Sequence, residues 1–135
     1  YTLIIGHVGS LAMNPFMYAK LPYDVDKDFT PISLLAIVPA IFVVHESVPA
    51  KNLREFVALA KTTPQILLYA SSGIGTANHL SMELLKSMAG IDVVHVPFNG
   101  SPPAIASVAG NDTQLLFAVP IAITPIAKAG KVGIR

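Results

Sequence analysis

From Ile41 onward, short β-branched apolar runs alternate with stretches whose apolar residues recur every three to four positions. A period of two marks a strand and a period near 3.6 an amphipathic helix, so Ile41 to Val44, Ile66 to Ala70, Val93 to Val96 and Thr113 to Phe117 are predicted strands, with helices between them. Asn52 and Glu55 form a capping-box-like start for a helix that ends near Thr63 and Pro64, with Leu53, Phe56, Val57 and Ala60 on its apolar face. A second helix is predicted over Ala77 to Ala89, capped by Thr76 and Gly90, with Ala77, Leu80, Leu84 and Met88 as its stripe. A third opens at Ser101 and Pro102, closes at Gly110 and turns Ala104, Ile105, Val108 and Ala109 inward. Around Ile121 to Ala129, Pro125 removes a backbone donor and predicts two turns rather than one straight rod.

Parallel strands need crossover connections, so strand and helix in alternation predict an α/β fold with a parallel sheet and helices on its faces. Right-handed crossovers then put every strand-to-helix loop at the carboxyl edge, where open α/β sheets bind ligands. Before Ile41 the texture changes. Tyr1 to Ile5 reads as a strand, Leu11 to Tyr18 as a short helix, and Leu21 to Pro31 as a polar connector belonging to another domain. Asp24, Asp26 and Asp28 alternate there as in a calcium loop, but the glycine and distal glutamate of that motif are missing; they read as solvated turn residues and no metal is expected.

Composition narrows the function. With 53% hydrophobic residues over 135 positions, the chain can bury a real core. Nine basic residues against eight acidic ones, without a Lys or Arg run, give no footprint for nucleic acid. The longest apolar stretch, Ile32 to Val44, is broken by Ser33 and Pro39 and falls short of the about 20 residues a membrane helix needs, so the chain is not expected to insert. Cysteine is absent, which removes disulfides and thiolate chemistry. The chain opens at Tyr1 with neither an initiator Met nor a signal peptide, and the expectation is a fragment whose targeting segment lies upstream.

The richest polar loop, Ser71-Ser72-Gly73-Ile74-Gly75-Thr76, leaves a predicted buried strand and enters the second helix. Two glycines allow close backbone approach, three hydroxyls offer donors, and the helix start adds free N–H groups, so the loop is suited to an anion. The bland alternative is a turn with an N-cap. His79, one turn into the helix, either aims at the same anion or covers the helix end. His95 reads as a satisfied sheet residue, and no histidine pair has metal-ligand spacing. The loop Gly6 to Ser10, with His7 and Ser10, is a candidate opposing jaw. No serine-elbow, paired-carboxylate or lysine-centred motif falls at the loop edge, so an enzyme is not expected and no cofactor is implied.

The phrases Leu21-Pro22-Tyr23-Asp24, Lys27-Asp28-Phe29-Thr30-Pro31, Val48-Pro49-Ala50-Lys51, Leu67-Leu68-Tyr69-Ala70-Ser71-Ser72-Gly73 and Val94-His95-Val96-Pro97-Phe98, in this order, resemble the Bug (TctC-like) family of periplasmic substrate-binding proteins of tripartite tricarboxylate transporters. The resemblance implies a venus-flytrap, periplasmic-binding-protein-like fold, with residues 1–38 in a first lobe, 39–130 in a second and 131–135 beginning a hinge return. It implies a secreted, periplasmic receptor that captures a small carboxylate and hands it to membrane transporter subunits. Ser71, Ser72, Gly73, Gly75, Thr76 and His79 inherit the ligand-binding role from the resemblance. Ile74 departs from the polar residue many members carry there, and Ala118 stands after Phe117 where many have an acid. Without that acid a ligand amine lacks its partner, so a plain mono- or dicarboxylate is implied over an amino acid. The competing expectations are a small α/β enzyme acting on an anionic substrate through His79, and an interaction module with a flat apolar surface.

Overall fold

The structure, a computed structural model, describes residues 2–134. It divides into two compact units, Tyr1–Ile37 and Val38–Arg135.

In the first unit, a π-helical turn over Gly9–Met13 runs into helix α1 (Asn14–Met17), and a one-turn helix α2 follows (Val25–Asp28). The Tyr23 hydroxyl fastens the unit, donating to the Ser10 carbonyl at 2.7 Å and accepting from Asn14 Nδ2 at 3.1 Å. Asp24 caps α2 by accepting from the N–H groups of Asp26 and Lys27, and Asp28 accepts from the N–H of Asp24. The polar connector thus uses Asp24 and Asp28 as helix caps. The expected first strand is not formed: Tyr1 lies outside the described residues, and 2–5 pair with no neighbour among those described. Apolar alternation alone does not make a strand, because its N–H and C=O groups need a partner ladder.

The second unit holds β1 (Ile41–His45), α3 (Leu53–Thr62), β2 (Leu68–Ser71), α4 (Ala77–Ala89), β3 (Val94–Pro97), α5 (Ser101–Ala109), β4 (Leu115–Ala118), α6 (Pro120–Lys128) and β5 (Val132–Ile134). The sheet runs β3-β2-β4-β1-β5. β2 lies parallel to β3 and β4, whereas β1 is antiparallel to β4 and β5, so four of the five strands share one direction. This is the expected mostly parallel α/β sheet with one correction. Reversal of β1 sends its following loop to the opposite edge, where the His45 N–H meets the Gln114 carbonyl just before β4. The loops after β2, β3 and β4 are the ones that share the carboxyl edge.

Side chains alternate across the sheet and build a core on each face. Phe42, Val44, Tyr69 and Leu115 pack against Phe56 and Ala60 of α3 and Met82 of α4, while Val43, Ala70 and Leu116 pack against Ala104 and Val108 of α5 and Ile123 of α6. The stripe expected on α4 is wrong. Leu84 and Met88 are 61% and 78% exposed, and the helix instead buries Met82 with Leu85 and Ala89 beside it. On α3, Phe56 and Ala60 are buried as expected but Leu53 is exposed. α6 is one continuous helix despite Pro125. Nine residues make only about two and a half turns, so the proline deletes a single bond, and burial of Ile123 on the sheet holds the rest together.

Candidate functional site at the carboxyl edge of the sheet

Neighbouring strands β2 and β4 feed helices on opposite faces: β2 leads to α4 with one core, and β4 to α6 with the other. Their loops therefore diverge and leave a crevice at the carboxyl edge, the switch point where open α/β sheets take ligands. A cavity of about 60 Å³ lies there. Asn78 and Ser101 supply its polar lining, and Ile105, Leu116, Ala118, Val119 and Ala122 its apolar wall. The Asn78 side chain bridges the seam, its Nδ2 donating to the Phe117 carbonyl at 2.7 Å while its Oδ1 accepts from Ser72 Oγ at 3.2 Å.

The loop from Ser71 to Thr76 is held from within. Ser71 is fully buried, with Oγ 2.7 Å from His95 Nε2 and accepting from the Gly73 N–H at 3.2 Å. Gly73 and Gly75 adopt φ of 129° and 78°, a region in which a side chain is strained. Thr76 is the N-cap residue of α4, but its hydroxyl donates to the Gly73 carbonyl at 2.7 Å and not into the helix. The expectation of three hydroxyl donors for a ligand is thus revised, because all three hydroxyls are engaged within the protein: Ser71 by His95 and the Gly73 carbonyl, Ser72 by Asn78, and Thr76 by the Gly73 carbonyl. What stays open is backbone. The first helical bond of α4 runs from Leu80 to Thr76, and among the described residues the N–H groups of Ala77, Asn78 and His79 meet no acceptor.

His79 covers the helix start. Its Nδ1 accepts from the Gly75 N–H at 3.3 Å, and its ring stacks on His95 with centroids 4.3 Å apart. His95 in turn stacks on Tyr69 at 4.6 Å, the residue beside it in register on the α4 face. The Tyr69 hydroxyl donates to Glu83, which also pairs with Lys86 at 3.0 Å. Burial, then the neighbouring His79, holds the His95 imidazole below its ordinary range. Burial also pushes the Tyr69 phenol up, aided by the bond to Glu83. For Glu83, burial pushes upward, but hydrogen bonds from Tyr69 and Lys86 outweigh it and the carboxyl stays low.

In the first unit, His7 Nδ1 accepts from the Gly9 N–H at 3.0 Å and Ser10 Oγ donates to the His7 carbonyl at 3.2 Å. The expected loop is therefore shorter than Gly6 to Ser10, since Gly9 and Ser10 already belong to the π-helical turn.

The family described as "Tripartite tricarboxylate transporter family receptor" matches residues 1–134. The chain belongs to this family. Among its relatives, a UPF0065 protein from the tcbD-tcbE intergenic region of Pseudomonas sp. (strain P51) is 34% identical over 117 residues, which are 87% of this chain and 34% of that protein. BugT of Bordetella pertussis is 28% identical over 111 residues, 82% of this chain and 34% of the relative. Among solved structures, R. palustris Rpa4515 with adipate superposes with a TM-score of 0.86 at 32% identity, over 94% of this chain and 42% of the other. MatC (Rpa3494) from Rhodopseudomonas palustris with bound malate gives 0.83 at 29% identity, over 96% and 44%. The chain spans about a third of the length of the curated relatives it matches.

Asn78 is the polar cavity residue that sequence reading passed over. Ser101 carries a usable signal, a hydroxyl at the first position of a helix after a parallel strand. Asn78 stands at the second position of α4, and only the β2 and β4 adjacency makes it a bridge.

Proposed function

We propose that the protein is a periplasmic solute-binding receptor that captures a small carboxylate and delivers it to a tripartite tricarboxylate-type membrane transporter. The observation that carries this reading is the set of unpartnered N–H groups of Ala77, Asn78 and His79 beside the switch-point cavity. A carboxylate gains about 1.5–3 kcal/mol from each charge-assisted hydrogen bond, against about 0.3–1 from the helix dipole, so discrete amide donors dominate. Ser71, Ser72, Gly73, Gly75, Thr76 and His79 form the loop and lid that set those amides in place. The adipate and malate held by the two superposing R. palustris proteins support the ligand class, and their family supports the transport role.

The geometry argues against hydrolytic use of the Ser71 and His95 pair. Their atoms are within 2.7 Å, but Ser71 is fully buried, so a substrate carbonyl has no approach to Oγ. Calorimetry on the full-length protein with mono- and dicarboxylates tests the reading. Saturable binding with the ligand recovered unaltered is expected. Thr76→Ala, which releases the Gly73 carbonyl from its 2.7 Å bond, is expected to weaken that binding about tenfold. Unchanged affinity would take the loop out of the mechanism, and turnover of the ligand would replace the receptor with an enzyme.

A further inference from the structure

The hydroxyls at the carboxyl edge are not equally free. Ser71, Ser72 and Thr76 are engaged by His95, Asn78 and the Gly73 carbonyl, and Thr124 Oγ1 donates to the Pro120 carbonyl at 2.7 Å. Ser101 differs from all four. It lines the cavity from the start of α5 and is exposed, and among the described residues no hydrogen bond engages its Oγ or its N–H. The next two residues, Pro102 and Pro103, carry no N–H and so offer this hydroxyl nothing to cap. At the start of α6 the Ile121 N–H is open as well.

The crevice therefore has two polar ends of different chemistry. At α4, three consecutive amides stand at the positive end of a helix of 13 residues, which suits a full carboxylate. At α5 the side-chain donor is a single neutral hydroxyl, and the cavity lining carries no charged side chain to offset the desolvation of a second anion. A serine hydroxyl both donates and accepts, which matches another hydroxyl. Asn78, the other polar residue of the lining, is committed to the seam through Ser72 and the Phe117 carbonyl.

We infer that Ser101 is a specificity-determining contact whose hydroxyl takes a hydroxyl of the ligand, so that the site prefers hydroxylated carboxylates to their plain hydrocarbon counterparts. The inference rests on the receptor reading above and deepens it. One neutral hydrogen bond at an exposed position corresponds to a preference of about three- to tenfold.

The test is calorimetry on the full-length protein with lactate against propionate, β-hydroxybutyrate against butyrate, and malate against succinate, each repeated with Ser101→Ala. In at least one pair the hydroxylated acid is expected to bind about three- to tenfold more tightly. Ser101→Ala is expected to erase that advantage while leaving the affinity of the plain acid within about twofold, and Ser101→Thr, which keeps a hydroxyl, to retain it. Absence of any preference, a preference that survives Ser101→Ala, or an equal loss for both members of a pair overturns the inference and leaves the receptor reading intact. Failure of every carboxylate to bind removes both.

Discussion

Stacked imidazoles link the loop to the sheet, and that makes the residue-scale energetics dependent on pH. His79 holds Gly75 through Nδ1, His95 holds Ser71 through Nε2, and the two rings share a face. Around His95 stand Ser71, Tyr69, His79, Glu83 and Lys86. Burial keeps it neutral in the fold, below the ordinary 6.5 it regains on unfolding. Above 6.5 neither state is protonated at this site, and stability is whole. As pH falls below 6.5 the unfolded chain takes up the proton first, so stability is lost until the folded group also titrates. Urea unfolding between pH 7.5 and 5.5 is expected to show a falling midpoint whose slope is reduced in His95→Gln; equal slopes would place the pH dependence elsewhere. The role of these side chains was half legible. Ser71, Gly73, Gly75 and Thr76 announced a special loop, but the direction of each hydroxyl depends on which carbonyl the folded loop turns toward it.

At the scale of elements, α4 shows both what periodicity reveals and where it stops. Its limits, Ala77–Ala89, follow from Thr76 before it and the left-handed Gly90 after it, at φ 63°. Its buried face does not, because Ala77, Leu80, Leu84 and Met88 are spaced as well for a helix as Met82, Leu85 and Ala89. The sheet decides between them, by where Tyr69 and Leu115 leave room. Met82→Ala is therefore expected to cost about 2–5 kcal/mol in chemical denaturation, whereas Leu84→Ala should cost under about 0.5. A larger effect at Leu84 would mean that this face is covered. Strand direction was equally hidden: apolar alternation in Ile41–His45 is the same for either polarity, and only pairing with β4 and β5 shows β1 reversed.

At the scale of the whole molecule, the second unit carries a self-contained sheet with a core on each face, and its crevice follows from strand order alone. The first unit leaves Leu3, Ile5, Phe16, Ile32, Leu34 and Ile37 widely exposed around its short helices. Among the described residues no helix is long and apolar enough to cross a membrane. The α/β class and the receptor family were both legible from the chain, the first from alternating periods and the second from an ordered series of short phrases spread over most of its length. What sequence could not supply was the bridge from Asn78 to Phe117, which exists only because β2 and β4 are neighbours.

Backbone amide resonances read the cradle directly. In a carboxylate titration of the full-length protein followed by ¹H–¹⁵N correlation spectra, the amides of Ala77, Asn78 and His79 are expected to shift most and downfield as acceptors reach them. Saturation of binding with those three signals unmoved, and the largest shifts on another element, would contradict a receptor built on the start of α4.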